Sequence, residues 1–270
     1  MCNRKDINVL VVPYEGLDDF MRGTSLAPSK ILWALESIEE FSIYQNSVMP
    51  KINVIDGIYP THTWLEPSEA MERIFSNLSE AVCNLEKPFV ALGGDHAITY
   101  PIVKFVGHFY DDLKVIHFDA HLDRRGSYKG NRFSHASVMA RVSELLGDSN
   151  VVTFGYRSRS EDEPEVGYPF SIFDGLKRYL DELPSDAPIY LTVDLDVLDP
   201  SEFPSVSNPE PGGVSFKELL ESLKLLRGRN LVAADIVEYN PLVCNCLHSA
   251  VMAATILREL SIILVSHELD

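Results

Sequence analysis

The sequence predicts an α/β protein in which a mostly parallel sheet is covered by helices on both faces. Three observations lead there. Short apolar, β-branched runs alternate along the chain with longer amphipathic ones. The 270 residues are 46% hydrophobic and 23% charged, a globular composition long enough to bury a sizeable core. Acid- and histidine-rich clusters follow several of the apolar runs, on the edge where a parallel sheet binds ligands.

Residues 9–12 read as the first strand. Residues 28–40 follow as a helix, with Pro28 near its first turn. Residues 51–56 are a second strand. Residues 67–85 form a long helix with Met71, Ile74, Phe75, Leu78, Val82 and Leu85 at apolar positions. Residues 89–92 are a strand ending in Gly93-Gly94. A helix covers 97–108, with Pro101 in its first turn. Residues 115–118 are a strand, 134–146 a helix, and 151–154 and 189–193 strands. Residues 215–226 are a helix and 231–237 a strand. A last helix runs from near His248 to about Leu260. The polar, glycine-containing stretches 124–133 and 158–169 read as loops. With no repeat and no linker, residues 1–270 read as one domain.

Charge narrows the partners. The formal net charge is -17, with 40 acidic and 23 basic residues. That balance repels nucleic-acid phosphate and anionic membrane. It would suit a cationic substrate, but solubility alone is the better account of the bulk charge. No uninterrupted apolar stretch reaches membrane-spanning length, and the run 7–12 is too short for a signal-peptide core. A cytoplasmic protein is expected. Cys2, Cys83, Cys244 and Cys246 include no C-x-x-C pair, and Cys244 and Cys246 flank a single residue. Reduced thiols are the expectation.

The chemistry is concentrated after four strands. Gly93-Gly94-Asp95-His96 follows residues 89–92. Asp119-Ala120-His121-Leu122-Asp123 follows 115–118. Asp194-Leu195-Asp196 closes 189–193, and Glu238 closes 231–237. In an extended segment alternate side chains point the same way, so Asp119, His121 and Asp123 project together, as do Asp194 and Asp196. Crowded carboxylates repel unless cations neutralise them. With His96, four Asp and two His make a ligand set that two divalent cations would match in charge. Oxygen-rich ligation with imidazole suits manganese better than zinc. D-x-H-x-D at a strand end has few structural uses, whereas D-x-D alone serves equally as a turn cap. Asp199, before Pro200, reads as a turn residue. Asp95 reads as a support for His96 or its loop, and His117 as a buried support beneath Asp119. His62, His108 and His248 have no partner in the sequence.

These segments, in this order, resemble the arginase/agmatinase ureohydrolase family along nearly the whole chain. They include 12–16, Arg22-Gly23, Ala27-Pro28, Gly93–His96, the 119–123 and 194–200 segments, Pro211-Gly212-Gly213 and 235–241. The resemblance implies a three-layer α/β/α fold, two Mn²⁺ ions per subunit and a trimer or hexamer. It implies that His96, Asp119, His121, Asp123, Asp194 and Asp196 hold metal. It also implies that Glu238 grips a guanidinium group and that His135 shuttles a proton. Without the resemblance, His135 would read as a capping or surface residue. The implied reaction is attack of metal-activated water on a guanidinium carbon, releasing urea.

The loop after D-x-H-x-D, residues 124–133, is similar to that of many agmatinases and points to agmatine, cut to putrescine and urea. Glu161, Asp162 and Glu163 are candidates for its cationic tail, while Arg125 would suit a carboxylate, as in guanidinobutyrate. Arginase activity is a further alternative. The chain departs from the family at Ser205–Asn208, at Ala97, and at Leu242-Val243-Cys244, where a Tyr-Asp pair is common. Outside the family, an amide deacetylase, a phosphoesterase or a non-catalytic metal-stabilised protein are the rivals. A deacetylase would occupy fewer ligands, and Glu238 would repel a phosphate.

Overall fold

The computed structural model describes residues 6–16, 21–58, 65–82, 87–244 and 246–266. Cys2, Cys83, Leu85 and His62 lie outside them. In chain order the elements are β1 (Asp6–Val12), α1 (Ala27–Leu35), the small strands β2 (Phe41–Ser42) and β3 (Ser47–Val48), β4 (Lys51–Ile55) and α2 (Pro67–Ala81). Then come β5 (Phe89–Gly93), α3 (Thr99–Val106), β6 (Lys114–Phe118), α4 (Val138–Leu146), β7 (Val151–Tyr156) and β8 (Tyr168–Pro169). The chain continues through α5 (Phe173–Glu182), β9 (Ile189–Asp194), α6 (Phe216–Lys224), β10 (Leu231–Val237) and α7 (Leu247–Ser266).

Eight strands form one sheet in the order β4-β1-β5-β10-β9-β6-β7-β8, and every neighbouring pair is parallel. Strands β2 and β3 pair antiparallel, as a separate hairpin. Strands β9 and β10 are buried along their whole length, as expected for centre strands covered on both faces. Alternate residues feed opposite cores. Val90 and Leu92 pack with α1, α5, α6 and α7, while Phe89 and Ala91 pack with α2, α3 and α4. The result is the three-layer α/β/α arrangement that the strand–helix alternation predicted.

Local chemistry sets the helix ends. Proline stands in the first turn of α1 and of α2, where no backbone N–H is needed. Ser215 caps α6 by accepting the Glu218 N–H at 3.1 Å. Helix α7 is apolar around most of its circumference because it is buried. By length and composition it would span a membrane, but 78% of that window is packed inside the protein.

The expected boundaries shift in several places. The first helix stops at Leu35 instead of residue 40, and α2 stops at Ala81. The last helix extends to Ser266. The stretch expected as loop 158–169 ends in β8, and α5 was not foreseen. Gly175 obscures α5, since glycine disfavours a helix interior. It is needed because a Cβ there would come within 2.6 Å of the Tyr168 ring.

Register places the strand ends level. Leu92 pairs with Ile236, Asp194 with Val237, and Val193 with Phe118. The residues following β5, β10, β9 and β6, four adjacent strands, therefore emerge at one edge.

Candidate active site

At this edge all four clusters meet. The Nδ1 of His96 lies 3.3 Å from Asp119 Oδ2, 3.2 Å from Asp123 Oδ2 and 3.2 Å from Asp194 Oδ2. Beside this group, His121 Nδ1 lies 3.4 Å from Asp119 Oδ1 and 2.9 Å from Asp196 Oδ2. Asp119 thus turns one oxygen to each group. All six residues expected as ligands are drawn together.

They converge by a different route from the one the spacing suggested. Residues 119–123 are not a continuous strand: the chain bends at Ala120, and Asp123 adopts a left-handed backbone, φ 52. That turn swings Asp123 back toward His96. Asp196 sits in a short helical turn (Leu195–Val197) begun by Asp194, whose Oδ1 accepts the Asp196 N–H at 2.8 Å. Glu238 also has a left-handed backbone, φ 64, and its Oε1 accepts the His96 N–H at 2.7 Å. Such conformations cost of order 1–3 kcal/mol each and gather at functional sites. Gly94 permits the close approach, since a Cβ there would lie 2.1 Å from the Tyr14 carbonyl oxygen.

Behind the cluster runs a layer of buried supports. His117 Nε2 is 2.6 Å from Asp119 Oδ2, and its Nδ1 is 3.0 Å from Thr153 Oγ1. His96 Nε2 meets Thr192 Oγ1 at 3.0 Å. Thr99 and Tyr190 donate to Asp235 Oδ2 at 2.8 and 2.5 Å. Asp95 accepts the Ala97 N–H at 2.7 Å and the Gly16 N–H at 3.2 Å, so it holds the loop that carries His96. Asp199 is the expected turn residue. Its carboxylate accepts from Ser201, Gly212 and Gly213, and the Ser201 bonds above all hold it down to about 2.

The electrostatics favour a cation. Burial pushes the Asp194 carboxyl well up, and the neighbouring Asp196 and Asp119 push it further. Burial, then Asp119, raises Asp196. Burial alone would lower His96, but Asp119, Asp123 and Asp194 carry it well above its ordinary value. His121 is raised in the same way by Asp196 and Asp119. His96 Nδ1 is fully buried, makes no hydrogen bond and faces three carboxylate oxygens. A lone pair aimed at anionic oxygens fits a metal ion held between them. The donor set of carboxylate and imidazole fits a hard or borderline divalent ion.

A cavity of ≈ 280 Å³ opens over the cluster, lined by His121, Asp123, Asp194, Asp196, His135 and Glu238 among others. His135 stands at the start of a short turn before α4, with Tyr128 edge-on at 5.5 Å and Asp95 Oδ2 3.9 Å from its Nδ1. Of the expected acidic trio, only Glu163 lines the cavity. Its two oxygens accept the N–H groups of Arg124 and Ser160, at 2.8 and 2.6 Å. Glu161 and Asp162 face solvent.

Several wall residues escaped the sequence reading. Arg125, which did not, is joined by Arg159, Asn208 and Glu210. Asn208 Nδ2 is 3.3 Å and Glu210 Oε1 3.7 Å from His121 Nε2. Arg157 donates to the carbonyls of Asp196 (2.8 Å), Val197 (3.2 Å) and Glu210 (2.6 Å), tying the 196 turn to the opposite wall. Its signal was available, because it directly follows β7 on the ligand-binding edge.

A parallel α/β sheet with His and Asp gathered at its carboxyl edge is an arrangement suited to holding a metal ion, and it is that of the arginase-like fold. A model of the arginase family matches residues 5–262, and the chain belongs to that family. Members of this family are ureohydrolases acting on guanidino C–N bonds. An agmatinase of Bacillus cereus is 33% identical over 262 residues, covering 92% of this chain and 88% of its own length. A Clostridium difficile structure described as a presumptive agmatinase superposes with a TM-score of 0.88 at 30% identity, covering 99% of each chain. The agmatine ureohydrolase of Thermoplasma volcanium superposes with a TM-score of 0.79 at 26% identity, covering 98% of this chain and 90% of that one.

Proposed function

We propose that this protein is a dinuclear manganese ureohydrolase that converts agmatine to putrescine and urea. The observation that carries the reading is the placing of Glu238 on the same cavity as the two carboxylate–imidazole groups. A phosphate or acetyl substrate has no use for an anion there, whereas a guanidinium has.

In this reading His96, Asp119, Asp123 and Asp194 hold one Mn²⁺, and Asp119, His121 and Asp196 help hold a second. When bound, the pair supplies Lewis acidity and an acidified water at neutral pH. Glu238, fixed by the His96 N–H, pairs with the planar guanidinium through two parallel hydrogen bonds and orients its carbon. His135 gives a proton to the departing amine. Asp95 keeps both the His96 loop and the neighbourhood of His135 in place. The substrate is a small guanidino compound, agmatine being favoured by the named relatives. Residues 1–270 act as one domain, in the cytoplasm, in a homo-oligomer of three or six chains, in line with the family resemblance.

A second reading has its own observation. Arg125 and Arg159 both line the cavity, and their charge suits a substrate whose far end is a carboxylate. One experiment separates the two: urea release with Mn²⁺ from agmatine, guanidinobutyrate and arginine in parallel. The agmatine reading expects agmatine to give the highest kcat/KM. Preference for guanidinobutyrate would replace it with the second reading, and no urea from any of the three would reject both.

A further inference from the structure

A row of buried polar residues crosses the sheet just below its carboxyl edge, and the proposed reaction leaves part of that row without a task. Register sets Asp235 of β10 opposite Thr192 of β9, Thr192 opposite His117 of β6, and His117 opposite Thr153 of β7. All four are fully buried. They face the layer of α2, α3 and α4, because the residues two positions before them, Ala233, Tyr190, Val115 and Val151, belong to that core. Thr99, the first residue of α3, meets the row from that layer. Polar groups persist in such a place only where they are hydrogen-bonded.

Counting hydrogens gives the row a direction. Asp235 Oδ2 accepts from Tyr190 Oη at 2.5 Å and from Thr99 Oγ1 at 2.8 Å. Each hydroxyl has a single hydrogen to donate. Thr99 gives its own to Asp235, so toward Thr192 Oγ1, 3.4 Å away, it can only accept. Thr192 therefore turns its hydrogen to Thr99, and its oxygen, 3.0 Å from His96 Nε2, is left to accept. In neutral His96 the hydrogen then sits on Nε2. Its Nδ1, buried and without a hydrogen bond, keeps a lone pair toward Asp119, Asp123 and Asp194. That is the tautomer a histidine ligand needs when it binds through Nδ1.

We propose that Asp235 and Thr99 are positioning residues for the metal site: by directing the hydrogen bonds that run through Thr192, they hold His96 with its hydrogen on Nε2 and its Nδ1 open to the cation. The inference rests on the reading of His96 as a ligand. If Thr99 could not accept, or had no carboxylate to donate to, the Thr192 hydrogen would be free to turn toward Nε2. The His96 hydrogen would then move to Nδ1, between the carboxylates, where it competes with metal. Tyr190 supplies the contrast. It bonds the same carboxylate oxygen but stands off the path from Asp235 to His96.

The test is Mn²⁺ affinity, measured by competition with a chelator and without substrate, so its result does not depend on which guanidino compound is cleaved. Thr99→Val keeps the shape and removes the hydroxyl, and is expected to weaken Mn²⁺ binding roughly 10-fold or more. Thr99→Ser restores the hydroxyl and is expected to stay within about 3-fold of wild type. Tyr190→Phe removes a buried hydrogen bond to the same oxygen. It is expected to lower Tm and leave the affinity unchanged. Asp235→Val combined with Tyr190→Phe removes the carboxylate together with the phenol that faces it, and is expected to weaken binding as Thr99→Val does. Thermal melts of the chelated proteins check that each variant folds. Wild-type affinity in Thr99→Val or in the double variant, no rescue by serine, or an equal loss in Tyr190→Phe would overturn the proposal. A wild type that binds no Mn²⁺ would overturn the metal reading itself, and this inference with it.

Discussion

Asp119 is the pivot of the site at the level of single residues. It shows one oxygen to His96 and the other to His121, and His117 holds it from behind. Asp119→Asn keeps the shape and removes the charge, so elemental analysis should find roughly one cation or fewer per chain. Two full equivalents would strike Asp119 from the ligand set. Glu238→Gln makes a different break. The His96 N–H still has an oxygen to bond, but the carboxylate charge proposed to pair with the guanidinium is gone. Urea release should fall by roughly 100-fold or more while metal content stays constant, as steady-state kinetics and elemental analysis would record. That these residues gather was legible because Asp and His repeat at strand ends. Asp123 illustrates the limit. Its place in the cluster depends on a left-handed turn that alternation does not encode. The acidic trio 161–163 shows the same limit, since backbone N–H groups from two separate segments already occupy Glu163.

Elements position these residues, and one buried ion pair ties two of the elements together. In α7, Arg258 Nη2 lies 2.8 Å from Glu259 Oε1, and Ser42 of β2 donates to Glu259 Oε2 at 2.8 Å. Arg258 also donates to the Glu39 carbonyl at 2.9 Å. This links the core helix to the β2–β3 hairpin. Glu259→Leu leaves Arg258 buried without its partner, and should cost about 3–5 kcal/mol in denaturant unfolding. A loss below about 1 kcal/mol would mean that Arg258 finds another acceptor or reaches water. Helices with clear amphipathic faces were readable in advance, α2 and α6 among them. Element ends were less so. Residues 36–40, expected to be helical, leave α1 to approach the hairpin, with Glu39 bound to Arg258 in the tertiary structure.

For the whole molecule, the strand order matters more than any one contact. Four acidic or histidine-bearing strand ends lie side by side in the centre of the sheet, so the fold concentrates negative charge where water is scarce. Removing cations with a chelator should lower Tm, because bound metal stabilises only the folded state. The loss should deepen as pH rises above 6.5. Both His96 and Asp194 have folded values raised above their ordinary ones, so each contributes stability through a proton held in the native state. The His96 contribution is complete below 6.5 and fades as pH climbs through its higher folded value. Thermal melts of chelated and Mn²⁺-loaded protein from pH 6 to 9 would check this. Equal pH dependence in the two would argue against a shared cation and proton site. The parallel sheet itself was foreseeable from the alternation of runs. The lateral order of its strands was not, since it depends on which crossovers pack best.

That order has a consequence for biosynthesis. His96 and Glu238 are hydrogen-bonded neighbours separated by 142 residues of chain. A ribosome-bound fragment that ends before β10 has already exposed all six carboxylate and imidazole donors, yet lacks the central strand between β5 and β9. In the proposed reading the complete cation site forms only once β10 stands between β5 and β9. Any lesion that delays insertion of that strand would leave a chain rich in acidic groups, poor in bound ion and open at the middle of its sheet.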